Sequence, residues 1–228
     1  MAVTYVLQIS FVLQQWSSLT ATLHYHATNA EDPRSALVSH FPGGRPCELH
    51  SLLVALHAGI VDYYEGLRRY PIVYYFHGRQ THRSLPHLFH TVGELAAALR
   101  WGLPTSHPAS REPWLSPLLT RFATITALIE EKFVSPSRRV GPPDPVPFTD
   151  FAACARGERA ASDPWTARFL DTERWMRDLA GSGGAPPEPE VAYARYSAWL
   201  PFAYRANAFV RATAENLGYE VRGTSRGS

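Results

Sequence analysis

Histidine is the residue type in this sequence best suited to metal binding or to proton exchange near neutral pH. All ten histidines lie between positions 24 and 107. His24 and His26 are separated by one residue, and His87 and His90 by two, spacings at which two imidazole rings can reach one metal ion. The same spacings also suit partly buried rings that bond to backbone carbonyls, so both interpretations stay open. A divalent metal ion is the one cofactor left open, and no other cofactor is predicted.

A second set of candidates surrounds the aromatic stretch at residues 70–77. Histidines there could sense pH, and tyrosine pairs at 63–64 and 74–75 could line a ligand pocket. The alternative is that one ring of each pair packs in the core and the other is half exposed. The ligand-binding or pH-sensing candidates are His50, His57, Tyr64, Tyr74 and His77.

No strong enzyme motif is present. The sequence contains no GxGxxG after a strand, no Walker loop, no HExxH and no GxSxG elbow between a strand and a helix. We therefore predict no catalytic residue, and the sequence favours a non-enzymatic role.

Charge and cysteine content exclude further classes of function and indicate a cellular location. The formal net charge is +2 and no run of Lys or Arg exceeds two residues, so an electrostatic nucleic-acid surface is not expected. The two cysteines, Cys47 and Cys154, form no CxxC motif and suit a reducing compartment. The first 30 residues lack the positive segment of a signal peptide, which favours a cytoplasmic location.

The elements that must position these side chains are helices. Apolar periodicity predicts an all-α protein, a bundle of seven or eight helices. Residues 72–76 are too short for periodicity to separate a buried strand from the first turns of a helix. A capping residue with a nearby proline marks helix starts at three places: Asp32-Pro33, Ser84 with Pro86, and Asp163-Pro164.

Composition divides the chain into four parts. We predict a helical bundle over residues 1–134 and a Pro-rich connector over 135–147. A helical annex over 148–218 should pack back onto the bundle, and a polar tail follows over 219–228. Pro201 is expected to kink the last helix.

The first helix has an unusual composition, because residues 1–30 contain no Asp, Glu, Lys or Arg. It could be an ordinary core helix, a helix that packs against another subunit, or the end of a membrane helix; about 20 mainly apolar residues are needed to span a bilayer. Its apolar positions alternate at spacings of four and three, as in a heptad seam. The seam residues, our candidates for oligomerisation, are Tyr5, Ile9, Val12, Trp16, Leu19 and Leu23.

Several stretches resemble the cytoplasmic region that follows the pore in bacterial ion-channel (two-pore-domain potassium channel-like) proteins. They are Val3-Thr4-Tyr5-Val6-Leu7, Glu48-Leu49-His50-Ser51-Leu52-Leu53, Arg69-Tyr70-Pro71-Ile72-Val73-Tyr74-Tyr75-Phe76-His77 and Ser84-Leu85-Pro86. The resemblance covers roughly residues 3–130 and includes no TVGYG-type filter. The resemblance implies that this chain is a domain on the cytoplasmic side of a membrane. The first helix of the domain would continue from a pore helix.

Together these observations predict a non-enzymatic cytoplasmic assembly or regulatory domain of an ion-channel-like membrane protein. We expect a homo-oligomer, with membrane contact through the N-terminal helix and no nucleic-acid partner. Two alternatives stay open: a soluble His-rich metal-binding protein or metal-dependent enzyme, and a soluble ligand-sensing regulator.

Overall fold

The computed structural model describes residues 2–26, 32–76, 84–134, 141–181 and 187–219, and only the backbone at residues 2–6 and 26. Within these ranges the chain forms seven α-helices, five short 3-10 or π segments and no strand, which confirms the predicted all-α class. The α-helices are α1 (Ala2–His26), α2 (Leu49–Arg69), α3 (Leu85–Ala97), α4 (Leu115–Phe133), α5 (Phe148–Ala155), α6 (Pro164–Leu179) and α7 (Pro189–Leu217).

Side-chain caps begin helical segments where the sequence predicts them. Asp32, Ser84 and Asp163 each accept a hydrogen bond from a backbone N–H of the turn that follows. The segment after Asp32 is a 3-10 helix (Pro33–His40), and its Arg34 backbone N–H donates to Asp32 Oδ1 over 2.9 Å.

The aromatic stretch after α2 is helical, so the alternative of a buried strand is wrong. Residues Pro71–Tyr75 form a 3-10 helix in which Val73 and Tyr74 are buried. The α-helix before it ends because the proline disfavours a helical conformation at Tyr70, where φ is −131° and ψ is 79°.

Two hydrophobic clusters share the long helix α7. Phe209 and Val210, near its end, belong to the cluster formed mainly by α1 to α4. Tyr196 and Trp199, nearer its start, belong to a second cluster with α5 and α6. The C-terminal region therefore packs against the first bundle along α3, and Met176 of α6 also enters the first cluster.

Helix α7 continues as an α-helix through Pro201 and ends at Gly218, whose φ of 74° is the left-handed conformation that glycine adopts without strain. The described end of the Pro-rich connector, residues 141–147, has no regular secondary structure. It is held at Val146, whose carbonyl accepts a 2.8 Å hydrogen bond from the Tyr193 hydroxyl.

Candidate functional site

The heptad seam of α1 faces the core of the same chain. Val12, Trp16, Leu19 and Leu23 are buried, and Ile9 is partly buried against them. The Tyr5 side chain lies outside the described residues. These five residues therefore contact their own bundle, which is the core-helix alternative, and offer little apolar surface to another subunit.

Two glycines of α2 allow this close packing. Gly59 and Gly66 are seven residues apart, and a Cβ added at Gly59 would lie 2.9 Å from both Leu19 methyl carbons. A Cβ added at Gly66 would lie 2.5 Å from Val12 Cγ1. Because Val12 and Leu19 have the same seven-residue spacing as the glycines, α1 rests directly on the α2 backbone at both points.

The opposite face of α1 carries a second heptad seam, which the sequence analysis missed. Its three large side chains are Leu7, Phe11 and Tyr25, exposed by 63%, 60% and 87%. All six positions are exposed, uncharged and spaced alternately by four and three residues: Leu7, Phe11, Gln14, Ser18, Ala21 and Tyr25. The spacing is present in the sequence, but half of these residues are polar or small, so the six positions do not form a continuous apolar pattern.

A shallow groove of about 390 Å³ runs between this face and α2. Leu7 and Phe11 form its apolar side, and Asp62, Glu65 and Arg69 of α2 form its charged side. The charge-free face of α1 is therefore bordered by both acidic and basic groups.

The described metal candidates, His24, His87 and His90, form no recognisable site. His24 is exposed on α1, and the His26 side chain lies outside the described residues. His87 and His90 are half-buried on α3, and burial lowers the pKa of His90. Within the residues that the structure describes, no three His, Cys, Asp or Glu side chains are grouped to hold a metal ion.

Three ligand or pH-sensing candidates, His50, His57 and Tyr64, lie along the face of α2 that meets α4 and the turn before it. His50 Nδ1 is 2.7 Å from Glu112 Oε1, although the imidazole is exposed. The His57 ring is 5.1 Å from that of Trp114, and burial together with the Arg121 charge lowers the His57 pKa. This cluster is a surface contact between two elements.

Tyr64 belongs to the same contact but has a structural role. Its half-buried ring lies between two guanidinium groups, with Arg121 Cζ 5.6 Å and Arg68 Cζ 5.7 Å from the ring centre. Such cation–π contacts stabilise the packing of α4 on α2.

Tyr74 lies apart from these residues and is completely buried. Its ring stacks on Phe133 with centroids 4.1 Å apart, and its hydroxyl donates to Asn216 Oδ1 over 3.2 Å. Burial raises the pKa of Tyr74. Tyr75 is exposed, so in this pair one ring is core and the other is not; His77 lies outside the described residues.

A buried ion pair is a feature that sequence reasoning did not find. Arg195 of α7 and Glu173 of α6 are both buried and bond directly to each other. Arg195 also donates to the Trp101 carbonyl over 2.8 Å. Trp101 lies in a π-helix (Ala98–Gly102) that continues α3, so this one guanidinium joins α6, α7 and the π-turn.

The third missed feature is a groove of about 500 Å³ between α4 and α7. Its aromatic wall is formed by Trp101, Phe122 and Phe202, and Arg205 and Glu130 are its charged residues. The sequence signal was Pro201, which also lines the groove, but nothing in the sequence indicated which helix would face it.

Comparison of the chain with protein-family models, with curated proteins and with solved structures found no match in any of the three. Among the described residues, no helix has the combination of length and apolar character that crossing a bilayer requires.

Proposed function

We propose that this chain is a non-enzymatic assembly or regulatory domain of an ion-channel-like membrane protein, located on its cytoplasmic side, and that its copies associate through α1. The observation that carries the proposal is the second heptad seam, from Leu7 to Tyr25, on the exposed face of α1.

The composition of this face favours another protein surface over water. Leu7 and Phe11 are mostly exposed, and burying each in an interface would contribute roughly 1.5–3 kcal/mol. No charge lies on the face, so two copies of α1 could pair without burying an unpaired ion. The proposed occupant of this face is therefore the α1 of a second copy.

Charges on α2 suit a two-fold arrangement of this kind. Asp62 and Glu65 precede Arg68 and Arg69 along the helix. Antiparallel neighbours related by a two-fold axis would place the acidic part of one copy near the basic part of the other.

Regulation would follow from the way α1 is attached to the bundle. Its inner seam contacts the α2 backbone at Gly59 and Gly66, so a displacement of α1 in an assembly must be accommodated by α2. The domain could in this way link the arrangement of subunits to the packing of the bundle.

The experiment that tests the proposal is the absolute mass in solution, measured by light scattering on the full chain and on Phe11→Glu. We expect a discrete oligomer for the natural sequence and a monomer for the variant, because the new carboxylate would be buried in the interface. Ser51→Glu is the matched control, since it adds the same charge at an exposed position of α2 and should leave the oligomer intact. Removing α1 altogether would be a poorer test, because it would uncover the buried face of α2.

A monomer for the natural sequence at all concentrations would refute association through α1. An oligomer that persists in Phe11→Glu would place the interface elsewhere. The membrane part of the proposal is tested by flotation with vesicles of phosphatidylethanolamine and phosphatidylglycerol. Absence of the chain from the floating fraction, in both the natural sequence and the control, would argue against direct membrane contact.

A further inference from the structure

We propose that the groove between α4 and α7 is a binding site for a small amphipathic anion, a carboxylate on an apolar body of the size of a medium-chain fatty acid. This site is separate from α1 and does not depend on the proposed association. Its volume of about 500 Å³ falls in the range of about 300–1,000 Å³ usual for small-molecule sites.

The apolar part of the groove is formed by packed rings. The Trp101 ring is 5.1 Å from that of Phe202, and the Phe202 ring is 5.6 Å from that of Phe122. Small residues complete the wall, and Ala127, Ala198 and Ala206 leave the space between the helices open. An aliphatic chain could therefore lie against aromatic faces along the groove.

The groove is largely formed before any ligand enters, because contacts with α6 and α7 hold the backbone at Trp101 in place. The Trp101 carbonyl accepts a hydrogen bond from Arg195, which is itself bonded to Glu173. The next residue, Gly102, packs so closely on α6 that an added Cβ would be 2.8 Å from Met176 Cγ. A preformed site loses little conformational entropy on binding. The π-turn at Trp101 is a type of irregularity often found at functional sites.

The sign of the ligand charge follows from Arg205. Arg205 lines the groove and makes no ion pair with any residue that the structure describes. A carboxylate is the group that a guanidinium binds in bidentate geometry.

Glu130 lies across the groove and makes the proposal more specific. It lies on the α4 side, while Arg205 lies on the α7 side. An anion would therefore bind with its charged end towards Arg205 on α7 and its apolar body along the rings.

Titration calorimetry with decanoate, and with 1-decanol as the uncharged counterpart, tests the site on the full chain. We expect decanoate to bind more tightly than 1-decanol. Arg205→Gln should weaken decanoate binding about tenfold, the value of one lost charge-assisted hydrogen bond. Arg205 is exposed, so its substitution should leave the fold unchanged, which circular dichroism checks.

A matched pair of variants locates the ligand. Ala198 and Ala194 are both exposed on α7, but only Ala198 lines the groove. Ala198→Phe should abolish decanoate binding, and Ala194→Phe should leave it unchanged. The proposal is overturned if decanoate does not bind, if Ala198→Phe still binds it normally, or if 1-decanol binds as tightly and Arg205→Gln has no effect.

Discussion

Replacing Gly66 with alanine tests most directly how α1 is attached to the bundle. The added methyl carbon would lie 2.5 Å from Val12 Cγ1 and 2.8 Å from Val12 Cγ2, far inside van der Waals contact. Overpacking of a core costs typically 1–3 kcal/mol, and the cost should be near the upper end because a β-branched side chain has few alternative rotamers. Alanine in place of glycine inside a helix recovers about 1 kcal/mol. The net expectation is a loss of about 2 kcal/mol in the free energy of unfolding.

Urea denaturation followed by circular dichroism measures this change. For a domain of this size, about 2 kcal/mol also corresponds to a decrease of roughly 4–8 °C in Tm. Ala58→Gly, at an exposed position of the same helix, is the control for helix propensity and should cost about 1 kcal/mol. Gly66→Ala combined with Val12→Ala should lose less than the sum of the two single variants, since the shortened valine makes room for the new methyl group.

The result that would refute this reasoning is a Gly66→Ala protein as stable as the natural one, or more stable by about 1 kcal/mol. Helix propensity alone would then account for the change, and α1 would not rest on α2 at this point. The Val12 seam would be available to another subunit, as the sequence pattern also allowed.

Three further predictions concern buried or half-buried polar groups. Glu173→Gln should lower the free energy of unfolding by about 3 kcal/mol in urea denaturation, because it leaves the Arg195 charge buried without its carboxylate; a loss below 1 kcal/mol would show that water reaches the pair. Tyr74→Phe should cost about 1 kcal/mol, since it removes the hydrogen bond to Asn216 and leaves the stacked ring in place; no change in Tm would contradict this. Burial lowers the pKa of His90 below the value near 6.5 that it has in the unfolded chain. The unfolded state therefore binds more protons in that interval, so stability should fall as the pH decreases from 7 to 5. His90→Asn should make this dependence shallower, and an unchanged slope would exclude His90 as its source.

The aromatic stretch after α2 shows what local sequence could and could not predict. Proline at position 71 ends α2 as expected, because a residue before proline is disfavoured in the helical region. The five residues that follow carry no periodicity long enough to separate strand from helix, and packing of Val73 and Tyr74 into the core accompanies the 3-10 turn.

Among the described residues, the candidates selected by type alone lie in separate parts of the fold. The histidine pairs satisfy a spacing rule, but a metal site needs three or four ligands that converge in space, and convergence depends on tertiary packing. His50, His57 and Tyr64 do share one contact because they lie on one face of α2. Tyr74 is not on this face, because α2 ends at Arg69 and Tyr74 belongs to the 3-10 helix that follows.

The all-α class, the capped helix starts, the end of α2 and the charge-free first helix could all be predicted from the order of the residues. These features depend on local conformational preference and on the 3.6-residue period, both of which act within one helix. Three features became known from the fold alone: which heptad seam of α1 faces the core, that this seam packs on Gly59 and Gly66, and that Arg195 bonds to Glu173. These are contacts between elements distant in the chain, and a single helix carries no information about which neighbour will cover each of its faces.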